Sequence, residues 1–161
     1  MLSRRLTQLI AANQIAGALW VTLATLGFGI SHGSALETFL ALALGVLGIV
    51  GGAIALRGSR TGLTILVVIL ALQIIRFANA AFAWQFYLGA TWRVALQPTA
   101  GSGFGFEGLF SITPWPVGGR SLLELNLTAL LTSIYLLFRL YRARFQEAVI
   151  PIAPHNQGPR S

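Results

Sequence analysis

The sequence predicts an all-α integral membrane protein of four transmembrane helices, with both termini inside and a long outer loop between helices 3 and 4. Three observations predict it. Of 161 residues, 55% are apolar and 9% charged, where a soluble domain carries roughly 25% charged residues. The apolar residues gather into four runs, over residues 9–30, 36–56, 61–87 and 122–138. The arginines stand mainly at the ends of those runs. Together the runs form one transmembrane domain over residues 1–145, and residues 146–161, with Pro151, Pro154 and Pro159, read as a disordered cytoplasmic tail.

The first run follows Arg4 and Arg5 and is long enough for a ~30 Å hydrocarbon core. Gly33-Ser34-Ala35 resembles a signal cleavage site, but the run exceeds the roughly 7–15 apolar residues of a signal peptide. A retained helix is the better reading. A polar turn with His32 leads into the second run. There Ala41, Gly45, Gly48, Gly52 and Ala55 recur at helical spacing. Small residues let two backbones approach where lipid removes the hydrophobic drive. This face either packs inside the chain or meets a second copy or another membrane protein.

The third run opens at Thr61, after the basic loop Arg57-Gly58-Ser59-Arg60. Wound as a helix, Gln73, Arg76, Asn79, Ala80, Ala83 and Tyr87 fall within about 120° of arc. Phe82, Trp84, Phe86, Tyr87 and Trp92 crowd its far end, as aromatic residues do at a headgroup layer. Residues 89–96 extend that helix along the interface. Residues 103–106 and 123–127 both alternate with period two around the turn-forming residues 114–119. They form either a small hairpin with each other or an irregular loop. The fourth run is read as helix from Leu122, which puts Glu124, Thr128 and Thr132 on one face.

Four spans would place Arg4, Arg5, Arg57, Arg60, Arg139, Arg142, Arg144 and Arg160 on one side, and only Arg93 and Arg120 on the other. The positive-inside rule then makes both termini cytoplasmic. Arginine without lysine, in a chain rich in Ala, Gly and Leu, suits a bacterial inner membrane.

Arg76 is the charge deepest inside an apolar run, at a cost of about 2.5–3.5 kcal/mol in a helix centre. Glu124 is its expected partner, with Gln73 and Asn79 completing a candidate intramembrane polar site. Other chemistry is thin. The chain has no cysteine, and four spans would put His32 and His155 on opposite sides. No nucleophile, base and orienter come together, and no metal or cofactor is expected. The net charge of +7 lacks the aromatic-interleaved basic stripe of a nucleic-acid binder. The expected partner is the lipid bilayer. The expected role is a non-enzymatic accessory, scaffold or assembly subunit. The alternative is a small transporter or channel with a polar path around Arg76, and an enzyme acting on lipid ranks below both.

Overall fold

A computed structural model describes residues 2–29, 35–79, 82–97, 100–114 and 121–149. The polar turn with His32, Trp115–Arg120 and the tail from Ile150 onward, with His155, lie outside them. Helix α1 covers Leu2–Ala24 and continues as one π turn over Thr25–Gly29. Helix α2 is Ala35–Leu56 and α3 is Arg60–Leu72. Four strands and a last helix follow: β1 Ile75–Ala78, β2 Phe82–Gln97, β3 Gly101–Pro114, β4 Leu122–Asn126 and α4 Leu127–Val149.

Among the described residues the fold is therefore mixed, four helices with a four-stranded antiparallel sheet, and the all-α four-span prediction fails. It fails first at Leu72, where α3 stops after 13 residues, about 20 Å at 1.5 Å per residue. Beyond it lie Phe82, Trp84, Phe86, Tyr87, Trp92 and Val94, aromatic and β-branched residues that favour a pleated, half-buried surface. So the third run is helix and then strand, and residues 89–96 continue β2 instead of lying as a helix on a membrane surface. The fourth run fails at its start. Residues 122–126 are β4, and Asn126 then caps α4 by accepting from the Ala129 N–H at 3.1 Å. Glu124 thus shares no helix face with Thr128 and Thr132. Helix α4 also runs on through the first residues of the expected tail, to Val149.

Among the described residues, two helices are long and apolar enough to cross a membrane, over Arg4–Gly27 and Ala35–Leu56. A multi-pass protein of four spans is not supported by these helices, and the assignment of loops to two sides, which rested on four spans, goes with it. What stands is a pair of apolar helices near the N-terminus.

The connection from α2 to α3 shows why a single glycine suffices to stop a helix. The Ser59 N–H reaches the Ile54 carbonyl at 3.4 Å and the Gly58 N–H reaches that of Ala55 at 2.9 Å. Gly58 has φ +81°, the left-handed conformation this closing motif requires.

The small-residue face of α2 packs inside the chain. Ala41, Gly45, Gly48, Gly52 and Ala55 are all buried. A Cβ on Gly48 would come within 2.8 Å of the Ala18 Cβ, and one on Gly52 within 3.1 Å of the Ala11 carbonyl. Helix α1 covers these positions, so a second copy has no access to them. Ile10, Ala11, Ala55, Leu63, Leu66, Leu70, Ala129 and Leu136 join the four helices in one core. A second core, of Ala18, Val21, Ala41, Ile69, Phe86 and Leu88, lies where β2 crosses α1.

In the sheet the strand order is β1-β4-β2-β3, and β1 also pairs with β2. The alternating residues 103–106 do form a strand, but their partner is β2, with Trp92 opposite Phe104. Residues 122–125 pair instead with β1, placing Arg76 opposite Glu124. One edge of β2 is filled along its length by β3. The other meets β1 at residues 83–84 and β4 at residues 93–97. The stretch between lies against α1, and there Gly89 takes φ +87°.

Candidate functional site

Alternation sorts β2 into two faces. Trp84, Phe86 and Leu88 point toward the helices, where Trp84, Phe86 and Phe110 form edge-to-face contacts at 5.8–6.4 Å. Tyr87 and Arg93 point the other way, and the polar groups of the other strands collect beside them. Arg76 Nη1 donates to Glu124 Oε2 at 2.9 Å. Arg93 Nη1 lies 3.9 Å from the same oxygen, and Arg93 Nη2 lies 2.7 Å from Glu107 Oε1. Read across the sheet, the charges alternate Arg76, Glu124, Arg93, Glu107. Each strand supplies one, in the spatial order β1, β4, β2, β3.

This ladder is partly shielded, its side chains being 13–29% exposed. The Tyr87 ring sits under the Arg93 guanidinium, 5.8 Å from centroid to Cζ, and its hydroxyl donates to Glu124 Oε2 at 3.4 Å. Burial first, and then the Glu124 carboxylate, push the phenol well above the ordinary tyrosine range. It is a neutral donor throughout the physiological range. Arg93 Nε is buried and, among the described residues, has no hydrogen-bond partner.

The sequence-predicted site residues divide. Arg76 and Glu124 meet in the ladder. Asn79 turns the chain between β1 and β2, its Oδ1 accepting from the Phe82 N–H at 2.8 Å. Gln73 belongs to a different cluster, where β2 lies against α1. Its Nε2 donates to Gln14 Oε1 at 3.0 Å and to the Ile69 carbonyl, while its Oε1 accepts from the Leu88 N–H at 2.9 Å. Gln14 Nε2 in turn donates to the Leu88 carbonyl at 3.2 Å, and Asn13 Oδ1 accepts from the Ala90 N–H at 2.9 Å. Three side-chain amides thus satisfy the backbone of β2 along the stretch of its second edge that neither β1 nor β4 reaches. A cavity of about 200 Å³ opens beside them, with Asn13, Gln14, Gln73, Asn126 and Thr132 among its lining.

Arg93, Glu107, Asn13 and Gln14 lie outside the sequence-predicted site, and Tyr87, placed on the Arg76 face by the sequence, was not counted in it. A signal existed for the charges: Arg76, Arg93 and Glu107 are the only charged residues from Thr61 to Gly119. Asn13 and Gln14 were visible only as an interruption of the first apolar run.

The ladder's two guanidinium and two carboxylate charges cancel. That geometry ties strands together and leaves no net charge to hold an ion. No cluster of His, Cys, Asp or Glu able to hold a metal occurs among the described residues. If the ladder stabilises the sheet, Arg76 and Glu124 must couple. Thermal unfolding of Arg76→Leu, Glu124→Leu and the double variant is expected to give a coupling energy of about 1–2 kcal/mol. Strictly additive losses would show that the two side chains act independently.

No protein family, no curated protein and no solved structure matches the chain.

Proposed function

We propose that this protein is a membrane-associated, non-enzymatic assembly subunit, and that its sheet accepts a strand from another membrane protein. The observation that carries this reading is the outer edge of β3. This strand spans 14 residues and pairs with β2 alone among the described residues. Glu107 is its one charge, and Phe104 is 78% exposed. A long edge strand presents a row of free backbone donors and acceptors, and natural sheets usually blunt such edges with charge or proline. The groups that complete it best are those of another extended backbone. Gly101, Gly103 and Gly105 leave room for the side chains of that incoming strand.

Membrane association is supported by the outer faces of the two long helices. Leu9, Leu23, Leu36, Phe39 and Val46 are exposed there. Hydrocarbon covers such a surface at no cost, whereas water does not. The path reading of Arg76 has less behind it, because its guanidinium is already bonded to Glu124.

A photoreactive amino acid at Phe104 or Phe106, irradiated in native membranes, tests the proposal. A discrete protein adduct is expected from both sites, and lipid adducts alone from Val46. Lipid adducts alone at all three positions would overturn the assembly role. An adduct at twice the chain's own mass would replace the foreign partner with a second copy.

A further inference from the structure

At the end of the helices opposite the sheet, a second cavity has no part in the ladder or the β3 edge. Its volume is about 190 Å³, and its lining includes Arg4, Thr7, Gln8, Arg57, Gly58 and Arg139. That is several times the roughly 30 Å³ that one water molecule occupies in the liquid. We propose that this cavity binds a phosphate group, presented by an anionic lipid headgroup or as free phosphate.

Three features argue for it. First, three guanidinium groups converge from three separate chain segments: the first turns of α1, the turn after α2 and the middle of α4. Arginine's planar fork matches phosphate oxygens two at a time, which a lysine ammonium does not. Second, no carboxylate is among the described residues that line the cavity. Glu107 and Glu124 are engaged in the sheet. Glu37 stands at the far end of α2, about 30 Å from Arg57 along the helix. Arg4 and Arg57 thus bring positive charge to a cavity whose described lining residues include no carboxylate. Third, the cavity is shaped in advance. Arg139 donates through Nη1 to the buried Thr7 hydroxyl. The closing turn at Gly58 holds Arg57 at the rim. Pre-positioned donors lose less entropy when an anion arrives.

A diffuse basic surface would also attract anions, so the test must separate a built site from general attraction. The full-length protein in mild detergent is titrated with inorganic phosphate. In parallel it is reconstituted and scored for binding to vesicles containing phosphatidic acid or phosphatidylglycerol. The same is done for Arg4→Gln, Arg57→Gln, Arg5→Gln and Arg142→Gln. Arg5 and Arg142 lie at the same end but outside the cavity lining. Arg4→Gln and Arg57→Gln are each expected to weaken binding about thirtyfold, the loss of a charge-assisted hydrogen bond. Arg5→Gln and Arg142→Gln are expected to weaken it by no more than about fivefold, the general attraction of one arginine to an anionic surface. Phosphate binding in detergent would identify the free anion, and binding only to vesicles would identify the headgroup. Equal losses in all four variants, or no binding in any arm, would overturn the proposal. Both Arg4 and Arg57 are exposed, so their replacement leaves the fold intact, and circular dichroism checks this directly.

Discussion

Replacing Gly89 with alanine is expected to destabilise the protein by about 3–5 kcal/mol. Two costs combine. Gly89 has φ +87°, a conformation that costs an L-residue about 1–2 kcal/mol. A Cβ there would also stand 2.6 Å from Asn13 Nδ2 and 2.7 Å from the Asn13 carbonyl. The Asn13 amide must then leave the Ala90 N–H, and a buried unsatisfied donor costs about 1–3 kcal/mol. The thermal midpoint should fall by at least about 6–12 °C. Gly103→Ala is the control, since a Cβ there meets nothing within 4 Å. Its midpoint should move little. Equal shifts for the two glycines would show that α1 does not lie against β2 at Gly89.

The second large effect is expected from Gln73→Leu, at about 3–5 kcal/mol. Leucine fills most of the same volume, so the loss is almost purely one of hydrogen bonding. Gln73 is fully buried. Its removal strands the Leu88 N–H and the Gln14 Oε1, each worth about 1–3 kcal/mol when left unpaired. Amide hydrogen exchange gives the sharpest reading, because the Leu88 amide has no strand to protect it. In the variant that amide should exchange faster relative to its neighbours on β2. Gln14→Leu should release the Leu88 carbonyl but leave its amide protected. If the Leu88 amide stays as slow in Gln73→Leu as in the native chain, the glutamine does not hold it.

These two expectations show where sequence reading succeeded and where it could not. The apolar helices α1 and α2 were legible because length and hydropathy suffice to define them. The small face of α2 was legible as a packing face by its spacing alone. Arg76 and Glu124 were legible as partners because each was a lone charge in apolar surroundings. What carried them together was misread. Gln73, Arg76 and Asn79 stand three apart, a helical interval, and that coincidence outweighed the alternation of Trp84, Phe86 and Leu88 farther on. Short apolar stretches cannot be divided between helix and strand by periodicity alone. The role of Asn13 and Gln14 lay further out of reach. It depends on a break in strand pairing along β2, and only the register of three other strands creates that break.

That dependence sets a timetable for synthesis. Gln14 bonds to a residue 74 positions downstream, and Thr7 to one 132 positions downstream. At roughly 5–20 residues per second, Gln14 is synthesised about 4–15 s before Leu88, and Thr7 about 7–26 s before Arg139. During that interval the first helix carries exposed amides amid leucine and isoleucine, suited neither to dry hydrocarbon nor to a finished core. The nascent chain must keep them wet, shelter them in a chaperone or insertion machine, or let them pair provisionally. The fold can close only when its last helix arrives.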